Sequence, residues 1–118
     1  MFRIMCKSKI HRARVTDVNL DYEGSLTVDK VLLRAADIAP YEKVQVLNIN
    51  NGTRAETYII EGSESSGQVV VNGALARWAQ KDDLVIIIAY AMVDETEVKD
   101  FSPKLILVDE RNNIVGNA

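Results

Sequence analysis

The chain has 118 residues, of which 47% are hydrophobic, and a formal net charge of -3 at pH 7. This length predicts one domain spanning residues 1–118, and the hydrophobic content is enough for a core, which excludes a disordered chain. The acidic balance argues against a nucleic-acid partner, and no apolar run approaches the roughly 20 residues that cross a membrane.

The first 36 residues predict short strands and one helix. Apolar and charged residues alternate over 12–15, and the opposite phase follows over 18–22. This pattern predicts two strands, or one strand with a bulge, around Thr16-Asp17. Asp29 is a plausible N-cap for a short helix that ends at Ala36.

The rest of the chain predicts mainly strands. Residues 44–49 and 55–60 flank Asn51-Gly52, which is a strong hairpin signal. Seven or so short strands with two or three helical turns predict a small β-barrel or sandwich with peripheral helices. The later elements are a polar loop at 61–67, a β run at 68–71, helical turns at 74–80, a turn at 81–83, a buried strand at 84–91, a weak helix at 94–100, a strand at 104–108 and a turn at Asn112-Asn113.

The Gly24-Ser25 bond is the first candidate for chemistry. Glycine has no Cβ to obstruct approach to its carbonyl, and it tolerates backbone conformations closed to other residues. The Ser25 hydroxyl can therefore reach the Gly24 carbonyl and convert the amide into an ester. A Gly-Ser pair by itself more often marks an ordinary turn.

Lys9 and His11 are two residues apart, so in a strand their side chains share one face. An ammonium beside an imidazole would attract a dianionic small molecule, although a solvated lysine and an edge histidine explain the pair equally well. His11 is the single histidine and Cys6 the single cysteine. We therefore expect no metal site and no disulfide, and without a signal peptide pattern we expect a cytoplasmic protein.

Two further groups carry weaker signals. Arg54 and Tyr58 would share a strand face and offer a carboxylate-binding fork and a phenolic proton, with Thr57 on the other face. Asn72-Gly73-Ala74 follows a β run, and its small residues could let backbone N–H groups approach a ligand. A surface arginine, a half-buried strand tyrosine and a simple turn are the structural alternatives.

Taken together, these residues resemble the pyruvoyl-dependent aspartate 1-decarboxylase family. Five separated motifs agree with the family in order and spacing, which is far more specific than any one of them. The motifs are K-x-H at Lys9 and His11, Y-E-G-S at Tyr22 to Ser25, N-N-G-x-R at Asn50 to Arg54, T-Y at Thr57-Tyr58 and V-N-G-A at Val71 to Ala74.

The resemblance implies a mainly β fold, a double-psi β-barrel, and a proenzyme cleaved between Gly24 and Ser25. The products would be a β chain of residues 1–24 and an α chain of residues 25–118. The Ser25 hydroxyl would attack the Gly24 carbonyl, and β-elimination followed by hydrolysis would leave a covalently bound pyruvoyl group at position 25. Tyr22 lies close enough in sequence to shape the turn.

The resemblance also implies roles for the remaining residues. Thr57 matches the residue that helps to position the cleavage-site carbonyl. Tyr58 would return a proton to the substrate α-carbon, while Arg54 and Lys9 would hold the substrate carboxylates with His11 nearby. Further substrate contacts are expected at Thr57, Asn72, Gly73, Ala74 and Leu75.

The implied reaction forms a Schiff base between L-aspartate and the pyruvoyl group, releases CO2 and gives β-alanine for pantothenate biosynthesis. It needs neither PLP nor a metal, and the family forms homotetramers with active sites between subunits. Leu75 departs from the small alanine that many relatives have. The alternatives are a β-barrel binding module that stays intact, such as a swapped-hairpin transcription regulator, and a self-cleaving barrel that acts on another amino acid such as glutamate.

Overall fold

The computed structural model describes residues 1–117. The chain forms nine strands, one α-helix and two short 3-10 helices within these residues. The strands are β1 (Phe2–Arg14), β2 (Asp17–Asn19), β3 (Ser25–Asp29), β4 (Lys43–Asn48), β5 (Arg54–Gly62), β6 (Val69–Asn72), β7 (Leu84–Asp94), β8 (Lys104–Val108) and β9 (Ile114–Asn117). The helices are α1 (Lys30–Ala36) and the 3-10 helices Gly73–Trp78 and Val98–Asp100.

The strands form a mixed sheet in the order β2-β6-β3-β5-β4-β7-β1-β8-β9. The pairs β1–β8, β2–β6 and β3–β5 are parallel, and the others are antiparallel. β1 and β2 lie near opposite edges of this order, yet only Val15 and Thr16 separate them in the chain. The sheet must therefore curl until its edges approach, which is consistent with the expected β-barrel. The mainly β fold with short helices is confirmed.

The core fills the inner face of this curled sheet. Alternate residues of each strand point inward, as the period of two requires. Ile10 of β1, Leu26 of β3, Ile59 of β5 and Ile87 of β7 are all fully buried. Leu32, Leu33 and Ala36 attach α1 to the same cluster through one side of the helix.

Most predicted elements are confirmed. Asp29 caps α1, and β4 and β5 form the hairpin around Asn51-Gly52, although its loop is longer than a two-residue turn. The alternative of two separate strands around Thr16-Asp17 is the correct one, although β2 ends at Asn19 and does not continue to Tyr22. The helical turns after Asn72 and the strands at 84–91 and 104–108 are also present.

Two strands were underestimated by the sequence pattern. β1 begins at Phe2 rather than near Arg12, because its first residues are exposed on both faces and show no clean alternation. Register shifts between Cys6 and Ser8 and between Ile10 and Ala13 break the period further. The edge strand β9 has too few residues for a periodic signal.

Asp29 ties the start of α1 to the loop that follows β5. Its carboxylate accepts N–H hydrogen bonds from Val31 at 2.9 Å, Ser65 at 3.0 Å and Gly67 at 2.8 Å. The side chain is almost completely buried, so water cannot replace these bonds easily. One carboxylate therefore satisfies three backbone donors from two segments.

Replacing Asp29 with alanine is expected to lower the free energy of unfolding by about 2–4 kcal/mol, since it removes the helix cap and leaves buried donors without partners. The matched control is Glu64→Gln in the same loop, whose exposed ion pair with Arg34 should contribute less than about 1 kcal/mol. Urea unfolding of both variants provides the comparison. Equal losses in the two variants would contradict a special role for Asp29.

Candidate active site

Ser25 is the first residue of β3 and is fully buried. Its hydroxyl donates to the carbonyl oxygen of Glu23 at 3.2 Å and accepts a hydrogen bond from the Asn72 side-chain amide at 3.1 Å. Ser25 and Asn72 lie directly opposite each other in the antiparallel pair β3–β6, so their side chains share one face. Strand pairing therefore brings the Asn72 amide within hydrogen-bonding distance of the Ser25 hydroxyl.

Gly73 lies against Gly24. Its φ is +70°, and a Cβ at this position would be 2.5 Å from the Cα of Gly24 and 3.1 Å from the carbonyl oxygen of Tyr22. By contrast, a Cβ on Gly24 would meet nothing within 4 Å, and Gly24 has no positive φ. In the intact chain the close approach therefore depends on Gly73 rather than on Gly24.

Lys9, Arg54 and Tyr58 lie on the face of the sheet that points away from the core. Lys9 pairs with Ile88 in β7, whereas its neighbour Ile10 is a core residue. Arg54 and Tyr58 pair with Leu47 and Lys43 of β4, on the side opposite the core residues Val44 and Val46. The sequence prediction that Arg54 and Tyr58 share a face is confirmed.

Ser25 and Tyr58 lie on neighbouring strands. They immediately precede Leu26 and Ile59, which pair in the parallel strands β3 and β5, so both side chains point away from the core side. The ring of Tyr58 packs against that of Tyr41, with centroids 6.5 Å apart. Tyr58 is therefore the predicted strand side chain that the sheet brings level with Ser25.

The cationic side chains predicted to bind substrate, Lys9 and Arg54, are not held by carboxylates in the part of the chain that the structure describes. Within residues 1–117, Lys9 and Arg54 form no ion pair, although nearby Lys7 and Lys43 pair with Glu42 and Glu56. Arg54 is exposed and Lys9 half-buried. Both groups are thus available to bind a carboxylate.

The remaining predicted residues occupy varied environments. Thr57 pairs with the core residue Val44 and lies on the opposite face from Tyr58, as the strand period predicts. His11 is half-buried and pairs with Leu107 of β8. Ala74 is exposed, whereas Leu75 packs against the core.

Three residues near the site were not predicted from the sequence. Thr27 shares the Asn72 amide, which donates to its hydroxyl at 3.0 Å. Leu47 pairs with both Arg54 and Ile86, so an apolar row lies beside the arginine. In sequence Leu47 and Ile86 cannot be told from core residues, because only strand register reveals which face they occupy.

The predicted residues are distributed over several strands of the sheet. In the strand order, β5, β4 and β7 lie between β3, which carries Ser25, and β1, which carries Lys9. Lys9 and Ser25 both lie on the face of the sheet opposite the core. Ser25, Asn72 and Gly73 form one cluster, and Lys9 with His11 lies apart from it.

Other features lie away from the cluster. A groove of about 440 Å³ on the outer face is lined by residues such as Ile4, Gln45 and Tyr90, and it contains none of the predicted site residues.

The pKa of Asp109 is lowered because its exposed carboxylate accepts N–H bonds from Asn113 and Arg111. A similar bond from Thr96 lowers the pKa of Asp94.

Residues 1–117 contain no cluster of His, Cys, Asp or Glu suited to a metal ion. Among the same residues there is no helix of the length and apolarity that crossing a membrane requires.

Comparisons with known proteins identify the family. A family model described as aspartate decarboxylase matches residues 1–115. The chain is 59% identical to aspartate 1-decarboxylase of Thermoanaerobacter pseudethanolicus over 98% of both chains. It is 56% identical to the aspartate 1-decarboxylase of Pelotomaculum thermopropionicum, over 98% of this chain and 87% of the relative, and 52% identical to that of Listeria monocytogenes, over 97% and 90%. The chain therefore belongs to the aspartate decarboxylase family and is an enzyme.

Proposed function

We propose that this enzyme cleaves its own Gly24-Ser25 bond and then decarboxylates L-aspartate at the α-carboxylate to give β-alanine and CO2. The observation that carries the proposal is the buried Ser25 hydroxyl, held by Asn72 directly after the scissile bond. The names of the relatives support aspartate as substrate. β-Alanine formed in this way would supply pantothenate biosynthesis.

The cleavage needs no external reagent except water. The Ser25 oxygen attacks the Gly24 carbonyl carbon, the C–N bond breaks, and the serine nitrogen takes a proton to become an amine. Elimination from the ester then releases Gly24 as a carboxylate and leaves dehydroalanine at position 25. Addition of water and loss of ammonia convert this residue into the pyruvoyl group, with no net oxidation or reduction.

The strand arrangement allows the chain to be cut without losing either piece. Residues 1–24 contain β1, which pairs with β7 from Phe2 to Arg14 and with β8 over a shorter stretch. The new end at position 25 belongs to β3, which remains paired with β5 and β6. Both products therefore stay attached through sheet hydrogen bonds and core contacts.

The loop before the cut is exposed, while the residue after it is not. Tyr22, Glu23 and Gly24 are exposed, and Ser25 is fully buried. Cleavage would free an exposed C-terminus at Gly24, whereas the new group at position 25 would stay beside Asn72 and Thr27. These contacts fit a small carbonyl group, because the Asn72 amide that now donates to a hydroxyl can donate to an oxygen in its place.

The pyruvoyl group would supply the electron sink that decarboxylation requires, in place of PLP. The chain's own residues bind and orient the substrate. Arg54 and Lys9 would hold its carboxylates by charge-assisted hydrogen bonds, with His11 beside Lys9. Tyr58 would deliver a proton to the α-carbon after CO2 leaves. The Asn72 amide and the backbone at Gly73 and Ala74 would hold the substrate's extended form, and Thr57 would help to position the cleavage-site carbonyl.

We further propose that the complete site forms between two copies of the chain in a homotetramer. The support is the separation of Lys9 from Ser25 across the outward face of one barrel. A second copy that contributes Lys9 to the Ser25 cluster of the first would bring a cation beside the reacting group. Within one copy the curvature of the sheet opposes that contact.

Intact-mass analysis tests the cleavage. We expect the parent chain to separate into residues 1–24 and 25–118, with aspartate trapped on the larger fragment by borohydride. Ser25→Ala should fold, remain whole and form no β-alanine. The matched control is Ser8→Ala, another fully buried serine, which should cleave normally. A parent chain that stays whole after prolonged incubation, or cleavage of Ser25→Ala, would refute the mechanism.

Tyr58→Phe tests the proton donor. The ring and its contact with Tyr41 are retained, so we expect complete cleavage but a fall of about 100-fold or more in β-alanine formation. Tyr41→Phe is the matched control from the other ring of the pair and should keep its activity. Normal turnover by Tyr58→Phe would remove this residue from the mechanism.

Co-expression of two defective variants tests the shared site. Lys9→Ala retains Ser25, and Ser25→Ala retains Lys9, so each homogeneous protein should be nearly inactive. In oligomers mixed randomly at equal amounts, about one quarter of the sites would combine both intact residues from different copies. Mixed oligomers verified by mass that show no recovery would place both groups in one chain.

A further inference from the structure

We infer that Gly73 is a positioning residue for self-cleavage, because its missing side chain lets the loop before Ser25 lie where the hydroxyl can reach the scissile carbonyl. The inference rests on the proposed self-cleavage. It concerns the intact chain, and it is separate from any contact that the Gly73 backbone makes with substrate. It also assigns the need for a missing side chain to Gly73, which lies 49 residues after Gly24, rather than to Gly24 itself.

The contact involves the backbone of both segments. A Cβ on Gly73 would lie 2.5 Å from the Cα and 2.6 Å from the nitrogen of Gly24. It would also lie 3.1 Å from the carbonyl oxygen of Tyr22. Because all three are backbone atoms, no side-chain rotation can relieve the overlap. Accommodation would require the loop itself to move.

Asn72 and Gly73 thus contact the two residues that the scissile bond joins. The Asn72 amide donates to the Ser25 hydroxyl, which is the attacking group. The adjacent Gly73 packs on Gly24, which carries the carbonyl under attack. Since Asn72 is fixed opposite Ser25 by the β3–β6 register, movement at residue 73 would separate the carbonyl from the hydroxyl rather than shift both together.

The size of the displacement sets the expected effect. Non-bonded carbon atoms normally approach to about 3.5–4.0 Å, so a Cβ at 2.5 Å requires a shift of roughly 1 Å or more. A misplacement of about 1 Å between reacting groups can cost about 100-fold in rate. We therefore expect Gly73→Ala to cleave about 100-fold more slowly than the parent chain.

Two other glycines provide matched controls. Gly52 has a φ of +76° but no atom within 4 Å of its Cβ position, so Gly52→Ala introduces backbone strain without overlap. Gly67 has a φ of +71°, and its Cβ would lie 2.8 Å from the carbonyl oxygen of Arg111. Gly67→Ala therefore introduces both strain and overlap at the opposite end of β3 from the scissile bond.

The experiment follows cleavage of the freshly purified parent and the three alanine variants by intact mass over time. Aspartate is omitted, so that substrate binding does not contribute, and thermal unfolding is recorded for each protein. We expect Gly52→Ala and Gly67→Ala to cleave within about 3-fold of the parent even where they unfold at a lower temperature, since neither displaces the scissile carbonyl. Equal slowing in Gly67→Ala and Gly73→Ala would overturn the inference, as would parental cleavage in Gly73→Ala. A parent that does not cleave refutes the proposed function instead.

A second measurement, hydrogen exchange, tests whether Gly73→Ala displaces only the loop or unfolds the domain. Combined with Ser25→Ala, which removes cleavage, the substitution is expected to leave the domain folded and to raise hydrogen exchange only at residues 20–25. Loss of protection throughout the sheet would overturn the inference, because Gly73 would then be required for folding in general.

Discussion

The pairing of Ser25 with Asn72 at the end of β3 and β6 is the constraint on which the proposed chemistry depends. It fixes the hydroxyl between an amide donor and the Glu23 carbonyl, and it buries Ser25 directly after an exposed loop. A serine in a mobile loop would meet its neighbouring carbonyl rarely and in many orientations. Here the strand register removes that freedom before any reaction begins, and such orientation is a major source of rate enhancement.

The sheet pairing also accounts for how the chain could stay folded after the proposed cleavage. The bond at risk joins a loop to the first residue of β3, so the pairing of Leu26, Thr27 and Val28 with β5 and β6 does not depend on it. Long-range pairs such as β1–β7 and β2–β6 would connect the two products after cleavage. The fold therefore depends on the continuity of its sheet rather than on the continuity of its backbone at residue 24.

The sequence was sufficient to predict the helix capped by Asp29, the β4–β5 hairpin and the shared face of Arg54 and Tyr58, because each follows from local spacing. The contact between Gly73 and Gly24 could not be predicted from the sequence, because it joins residues 49 apart and depends on the positive φ of Gly73. The full extent of β1 was also missed, because two register shifts disrupt its alternation. Leu47 and Ile86 could not be distinguished from core residues in the sequence, because the strand register determines which face they occupy.

The curvature of the sheet links the fold to the proposed assembly. Val15 and Thr16 alone connect β1 to β2, and this short link makes the sheet curl with its apolar face inward. Any residue that faces away from the core then points outward, and residues on separate strands diverge as the curl tightens. Lys9 and Ser25 both lie on this face, on strands that are well separated in the strand order. The outward faces of two barrels can approach each other closely, so a second copy facing the first could bring its Lys9 toward Ser25. In the proposed assembly, the oligomer would complete the site as a consequence of the curl, without any change in the fold of either copy.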